Sequence, residues 1–201
     1  MTHERRAGRV PKLLLSLLLL ALLAGLLFTE PGRAWDLEWT QWAVTADQSS
    51  PALHAFMRAG TELGKSGPIL VSLFVPAAFG TEFARGTARV AFAGLLGSQL
   101  AVEGLKRLTG RTRPDGEANP NNASFPSSHA SAAAALAWVV TARHRRLAPW
   151  AVVVAFWVCA SRVFLGRHFP SDVVAGALLG ICFASLALRF QDRLAGARTV
   201  R

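Results

Sequence analysis

Residues 13–28 read LLLSLLLLALLAGLLF, sixteen positions without a charge, preceded by Arg5, Arg6, Arg9 and Lys12 and followed by Glu30. A run this apolar belongs in a bilayer or in a protein core, and it falls a little short of the roughly 20 residues that one membrane-crossing helix wants. Its surroundings decide the matter. Five more apolar blocks follow at about 67–83, 90–105, 130–142, 150–165 and 173–188. Each is short and several carry a polar residue, but helices inside a bundle need less hydrophobicity because their neighbours cover them. With their flanking turns the six spans become 13–28, 67–83, 90–105, 128–142, 149–165 and 171–188. The expected fold is all-α: a polytopic membrane protein with six transmembrane helices.

The charges sort in agreement with that topology. If both termini share one side, that side holds Arg5, Arg6, Arg9, Lys12, Arg85, Arg89, Arg143, Arg145, Arg146, Arg189, Arg193, Arg198 and Arg201, against only Glu4, Glu82 and Asp192. The whole net charge of +10 then lies on one face, and the other is neutral. Cytoplasmic loops carry such an excess of Lys and Arg. Both termini are therefore expected in the cytoplasm. Residues 13–28 also admit a second reading, a signal peptide ending near Pro31-Gly32-Arg33-Ala34, but the arginine is a poor fit to a cleavage site of small residues.

The chain of 201 residues, 52% of them apolar, suits a single domain over 1–201. Its basic residues stand in short clusters between apolar blocks and not in one stripe interleaved with aromatics, so no nucleic-acid partner is expected. Cys159 and Cys182 both lie inside apolar runs. They form no zinc-type spacing and read as small buried hydrophobes. Between the first two spans, Trp35, Trp39 and Trp42 fall on one helical face, with Asp36, Glu38 and Gln41 off it. This predicts a short helix lying in the membrane interface or packed on the bundle.

Three polar clusters emerge on the neutral side. The first is Lys106-Arg107-Leu108-Thr109-Gly110-Arg111-Thr112-Arg113-Pro114, followed by a polar loop. The second is Pro126-Ser127-Ser128-His129. The third runs from Ser161-Arg162 to His168-Phe169-Pro170-Ser171-Asp172. Cations at the ends of apolar segments are expensive unless they have a partner or a task. Arginine holds phosphate oxygens in a fork, and lysine adds a compact charge. Pro126 fits the first position of a helix, which would place Ser127, Ser128 and His129 in a first turn whose free N–H groups favour an anion. Asp172, four residues after His168, can accept the Nδ1 proton and leave Nε2 free to attack phosphorus. His129, on another helix, can protonate the leaving oxygen.

The ordered set Lys106-x6-Arg113-Pro114, Pro126-Ser127-x-His129 and Ser161-Arg162-x5-His168-x3-Asp172 resembles the type 2 phosphatidic acid phosphatase superfamily. The resemblance implies a metal-free reaction without a cofactor, through a histidine-bound phosphoryl group. It implies His168 as nucleophile, Asp172 as its orienting partner and His129 as general acid. Lys106, Arg113, Ser127, Ser128 and Arg162 would bind phosphate. It further implies a lipid phosphate substrate and an extracytoplasmic site. One departure is Ser128, where the family usually has glycine. The lipid stays open: phosphatidic acid, phosphatidylglycerol phosphate, undecaprenyl diphosphate and a lipid A phosphate all fit. A lipid phosphotransferase fits the same motifs, whereas residues 13–28 and the charge sorting argue against a soluble acid phosphatase or haloperoxidase relative, and the two histidines with Asp172 argue against a non-catalytic lipid-binding protein.

Four lesser expectations concern local structure. Gly176-x3-Gly180 is a small face for close helix packing. Glu103 should pair with Lys106 or Arg107. His144 should be solvated, and His54 has no visible partner in the sequence.

Overall fold

The structure, a computed structural model, describes residues 18, 22, 25, 29–117 and 122–198, with side chains as far as residue 191. Within the described residues all regular structure is helical: α1 (Glu30–Gln48), α2 (Pro51–Leu63), α3 (Ser66–Phe79), α4 (Glu82–Thr109), α5 (Ser128–Arg143), α6 (Ala148–Phe164) and α7 (Pro170–Arg198). The all-α expectation holds. The first apolar block lies outside the described residues except for Leu18, Leu22 and Gly25, which are helical.

The helix starts follow capping chemistry. Thr29, Ser50 and Thr81 each offer a side-chain oxygen to a free N–H of the first turn, of Gly32, Leu53 and Ala84 respectively. Pro31 and Pro51 occupy the first turns of α1 and α2, where a missing N–H costs nothing. Gly80 breaks the second apolar block before its expected end, and α4 starts at Glu82, so Arg85 and Arg89 are helical and not in a loop.

Among the described residues one stretch, Pro170–Gln191 of α7, is both long and apolar enough to cross a bilayer by itself; Ser66–Phe79 and Ala148–Phe164 are shorter apolar helices. At a rise of about 1.5 Å per residue, α3 extends only about 21 Å, less than the roughly 30 Å of a hydrocarbon core. Large apolar side chains are nevertheless exposed all over these helices, including Phe74 and Phe79 on α3, Leu100 on α4, Phe156 on α6 and Phe190 on α7.

The segment between the first two apolar blocks is more than a short helix. It forms the 19-residue α1 and the 13-residue α2. On α1 the usual amphipathic order is reversed: Asp36, Thr40, Ala43 and Asp47 are buried, while Trp35, Trp39 and Trp42 are 47–58% exposed and meet one another at tilted and edge-to-face angles. The stripe is real, and it points away from the protein.

The core lies between α3, α4, α5 and α7, built on Leu73, Val90, Leu95, Ala132, Ala135, Val139 and Ala184. Small residues set its spacing. A Cβ at Gly176 would collide with the carbonyl of Ser127, and one at Gly180 with the carbonyl of Ser131. The two glycines therefore seat α7 directly on the backbone of α5, as the G-x3-G spacing predicts. At the basic end of the bundle, Arg143 bonds Gln191 at 2.9 Å and lies over the ring of Phe83. His144 is not simply solvated: it packs on Phe83 and meets Thr87 Oγ1 at 3.2 Å. Glu103 pairs with Arg107, at 3.7 Å. Cys182 is buried and Cys159 half-buried.

Candidate active site

The end of α4, the starts of α5 and α7 and the end of α6 meet at the opposite end of the bundle, and α1 and α2 close over them. Gly110, in the left-handed region at φ 54°, ends α4 and turns the chain into residues 111–117. Arg113 on that turn is buried and held by Asn122, whose backbone oxygen and side-chain oxygen accept at 2.8 and 2.6 Å. Burial is the main force lowering the pKa of its guanidinium, opposed by the charge of Glu117; an arginine stays charged regardless.

Ser127 proves to be the cap of α5 and not part of its first turn. Its backbone is extended and its Oγ accepts from the Ala130 N–H at 3.5 Å. Pro126 therefore precedes the helix, and Ser128 and His129 are its first two residues. The Ser127 N–H donates to the backbone carbonyl of Asp172 at 3.0 Å, which joins the start of α5 to the start of α7. No non-glycine residue among those described has a positive φ, so Ser128 sits in ordinary helical backbone and nothing there requires glycine.

His168 is 2% exposed. Its Nδ1 lies 2.8 Å from the carbonyl oxygen of Ser124, while the nearer Asp172 oxygen is 3.8 Å away. The hydrogen bond expected from Asp172 is thus made by a backbone carbonyl, and the carboxylate acts on the ring through its charge. A carbonyl can only accept, so Nδ1 carries the proton and the lone pair stands on Nε2. Burial lowers the pKa of His168 below the ordinary histidine value; Asp172 opposes the shift, and Arg162 and Arg113 reinforce it.

Asp172 is fully buried and saturated. It accepts from the Ser124 hydroxyl, the Phe169 N–H at 2.9 Å and Arg111 Nη1 at 2.6 Å. Arg111 reaches on to Asp36 of α1 at 2.8 Å and lies over the ring of Phe169. Asp36 also accepts the N–H of Ser171 at 3.0 Å and its hydroxyl. Arg162 is buried at the end of α6, with one arm on Thr61 of α2, an Nε without a protein partner, and a backbone carbonyl that accepts from the N–H of His168 at 3.1 Å. Lys106 is buried within electrostatic reach of Arg113, Arg162 and Asp172. His129 abuts the cap of α2, since a Cβ at Gly64 would lie 2.8 Å from its ring.

All eight residues singled out in the sequence thus gather at one end of the fold. Sequence reasoning missed the frame around them: Ser124, Arg111, Asp36, Ser171 and Thr61. Asp36 was visible only as a polar residue off the tryptophan stripe. Thr61 carried no signal.

Buried cations around a histidine with its lone pair on Nε2 are chemically able to hold and accept a phosphoryl group. The chain belongs to the PAP2 superfamily, whose model matches residues 87–195. Among curated relatives, the decaprenylphosphoryl-5-phosphoribose phosphatase of Mycobacterium tuberculosis is 37% identical over 100 residues, 47% of this chain and 53% of that protein. The undecaprenyl-diphosphatase BcrC of Bacillus subtilis is 33% identical over 73 residues, 36% of this chain and 38% of that protein. The match thus spans about half the length of the first of these relatives and less of the second. A crystal structure of a transmembrane PAP2 type phosphatidylglycerolphosphate phosphatase from Bacillus subtilis has a TM-score of 0.76 at 26% identity, over 90% of this chain and 96% of that one.

Proposed function

We propose that this protein is a membrane lipid phosphatase that works through a phosphohistidine, with His168 as nucleophile. The observation that carries the reading is the buried His168 ring, its Nδ1 committed to the Ser124 carbonyl and its neighbours Arg113 and Arg162 both cationic.

In the first half-reaction Nε2 attacks phosphorus. The N–P bond forms as the bond from phosphorus to the leaving oxygen breaks, and that oxygen takes its electron pair and a proton from His129. The negative charge of Asp172 at 3.8 Å stabilises the imidazolium character that develops on the ring. Lys106, Arg113 and Arg162 neutralise the equatorial oxygens, with the Ser128 N–H and hydroxyl and the dipole of α5 behind them. In the second half, His129 takes a proton from water as the water oxygen attacks phosphorus. The N–P pair returns to Nε2 and phosphate leaves. Three cations and a helix start perform the charge neutralisation that a divalent metal performs in other phosphatases.

The same reading places the chain in the bacterial inner membrane as six spans, residues 13–28 among them, with both termini cytoplasmic and the site on the outer face. The charge asymmetry, the exposed apolar surface of α3, α4, α6 and α7 and the outward tryptophans of α1 support it. Short α3 can cross by lying against α4 in a locally thinned bilayer.

The test is phosphate release by the purified, detergent-solubilised chain from phosphatidic acid, phosphatidylglycerol phosphate, undecaprenyl diphosphate and a lipid A phosphate, with no acceptor present. Release from at least one is expected. Release from none, or release only when an acceptor alcohol is supplied, overturns the reading. Single cysteines at Glu117 and Arg145, in a background lacking Cys159 and Cys182, should label from outside and inside respectively with a membrane-impermeant maleimide.

A further inference from the structure

A cavity of about 500 Å³ reaches His129 and Arg162 from between α2 and α6, and its walls also carry Arg58, Thr61, Glu62, Lys65 and Arg167. His168 is not in those walls and is almost fully covered. The proposed acid therefore faces the cavity, and the proposed nucleophile is covered from it. Attack and departure in phosphoryl transfer are roughly in line. The group that leaves must pass out by way of His129, into the cavity.

The walls of that cavity are cationic beyond what one phosphate needs. Lys65 is paired with Glu62 at 2.6 Å, and Arg167 with Asp115 at 2.7 Å. Arg58 has no ion pair or hydrogen bond among the described residues, although Glu62 stands one turn further along the same helix. It is an exposed guanidinium on the wall through which the leaving group passes. A neutral leaving group such as diacylglycerol would gain nothing from it. A leaving group that carries its own phosphate would gain a charge-assisted, forked contact.

Building on the phosphatase reading, we propose that Arg58 forms a second anion subsite, on the leaving-group side. The preferred substrates are then lipids with two phosphate groups, whether joined directly as a diphosphate or separated as a phosphodiester and a terminal monoester. Lys65 and Arg167 add charge to the same wall. In the reaction on a diphosphate, the bond between the terminal phosphorus and the bridging oxygen breaks. That oxygen takes the pair and the His129 proton, and the departing lipid monophosphate is held by Arg58 until water has cleared the histidine.

Two substrate pairs test this with the purified full chain. Farnesyl diphosphate and farnesyl monophosphate differ by one directly linked phosphate. Phosphatidylglycerol phosphate and phosphatidic acid differ by a phosphodiester further from the scissile bond. Arg58→Ala should lower the kcat/KM ratio of the two-phosphate to the one-phosphate member by about ten- to a hundredfold, the worth of one hydrogen bond to a charged group. Arg58→Lys should restore part of the ratio, and Arg145→Ala, at the far end of the bundle, should leave it unchanged. A fall of fivefold or more in the farnesyl pair assigns the subsite to a diphosphate, and in the glycerolipid pair to a phosphodiester. A smaller change in both pairs overturns the subsite while wild-type turnover keeps the phosphatase reading standing. No phosphate release by wild type from any of these four, or from undecaprenyl diphosphate or a lipid A phosphate, removes both.

Discussion

The guanidinium of Arg111 donates to a carboxylate oxygen of Asp172 at 2.6 Å. Its other arm reaches Asp36 at 2.8 Å. The carboxylate next to the proposed nucleophile is therefore fixed by a residue that is itself fixed by α1, the helix whose tryptophans face outward. Positioning passes from the outer surface of the protein to His168 through three charged side chains.

Removing Asp36 should expose this chain of positioning. Asp36→Ala leaves one arm of Arg111, its Nη2, and both donors of Ser171 without the acceptor they share. Breaking a buried pair from one side costs about 3–5 kcal/mol. The expected result is a clear drop in Tm in detergent and a fall in kcat larger than any rise in KM, with partial rescue by Asp36→Asn, which keeps one acceptor oxygen. An unaltered Tm and kcat would show that α1 does not position Asp172.

His168→Ala should abolish turnover while the protein still elutes as a folded species from size exclusion. Vanadate, which adopts a five-coordinate geometry like that of the transferring phosphoryl group, should inhibit wild type. Appreciable turnover by the variant removes His168 as nucleophile.

The acid limb of the pH profile carries the sign of the His168 shift. Burial holds its folded-state pKa below the ordinary value of 6.5. The neutral ring, with its free Nε2, therefore persists as pH falls through 6.5, and activity attributable to that ring is lost only below it. Plots of kcat/KM against pH, corrected for the titration of the substrate phosphate, should place the acid limb under 6.5. A limb at or above 6.5 contradicts the assignment.

Gly176→Ala should separate α5 from α7. The new methyl group meets the Ser127 carbonyl, which cannot move without pulling the capped start of α5 away from Asp172. Overpacking of this kind costs about 1–3 kcal/mol. A lower Tm together with reduced kcat is expected. Full activity with a lower Tm would show that the seam matters for stability alone.

Turnover should continue in excess EDTA, because Lys106, Arg113 and Arg162 supply the positive charge. Loss of activity on chelation, restored by a divalent cation, would require a different mechanism.

Much of this protein is determined by local chemistry along the chain. Helices begin at Thr29, Ser50, Thr81 and Ser127 because each brings an oxygen to the first free N–H groups. Lys106, Arg113, Arg162 and the two histidines stood out because such groups at the ends of apolar runs are costly without a use, Ser127, Ser128 and Asp172 stood out by their spacing from the histidines, and Gly176-x3-Gly180 announced a close helix contact. What depends on the tertiary structure is the identity of partners from distant segments. No spacing rule links Asp36 to Arg111, Thr61 to Arg162 or Ser124 to His168, since 75, 101 and 44 residues separate them. The Nδ1 of His168 is free to choose between a carboxylate four residues ahead and a backbone carbonyl brought in by a loop. Only packing settles that choice, because a buried donor takes the acceptor that the surrounding helices bring within reach.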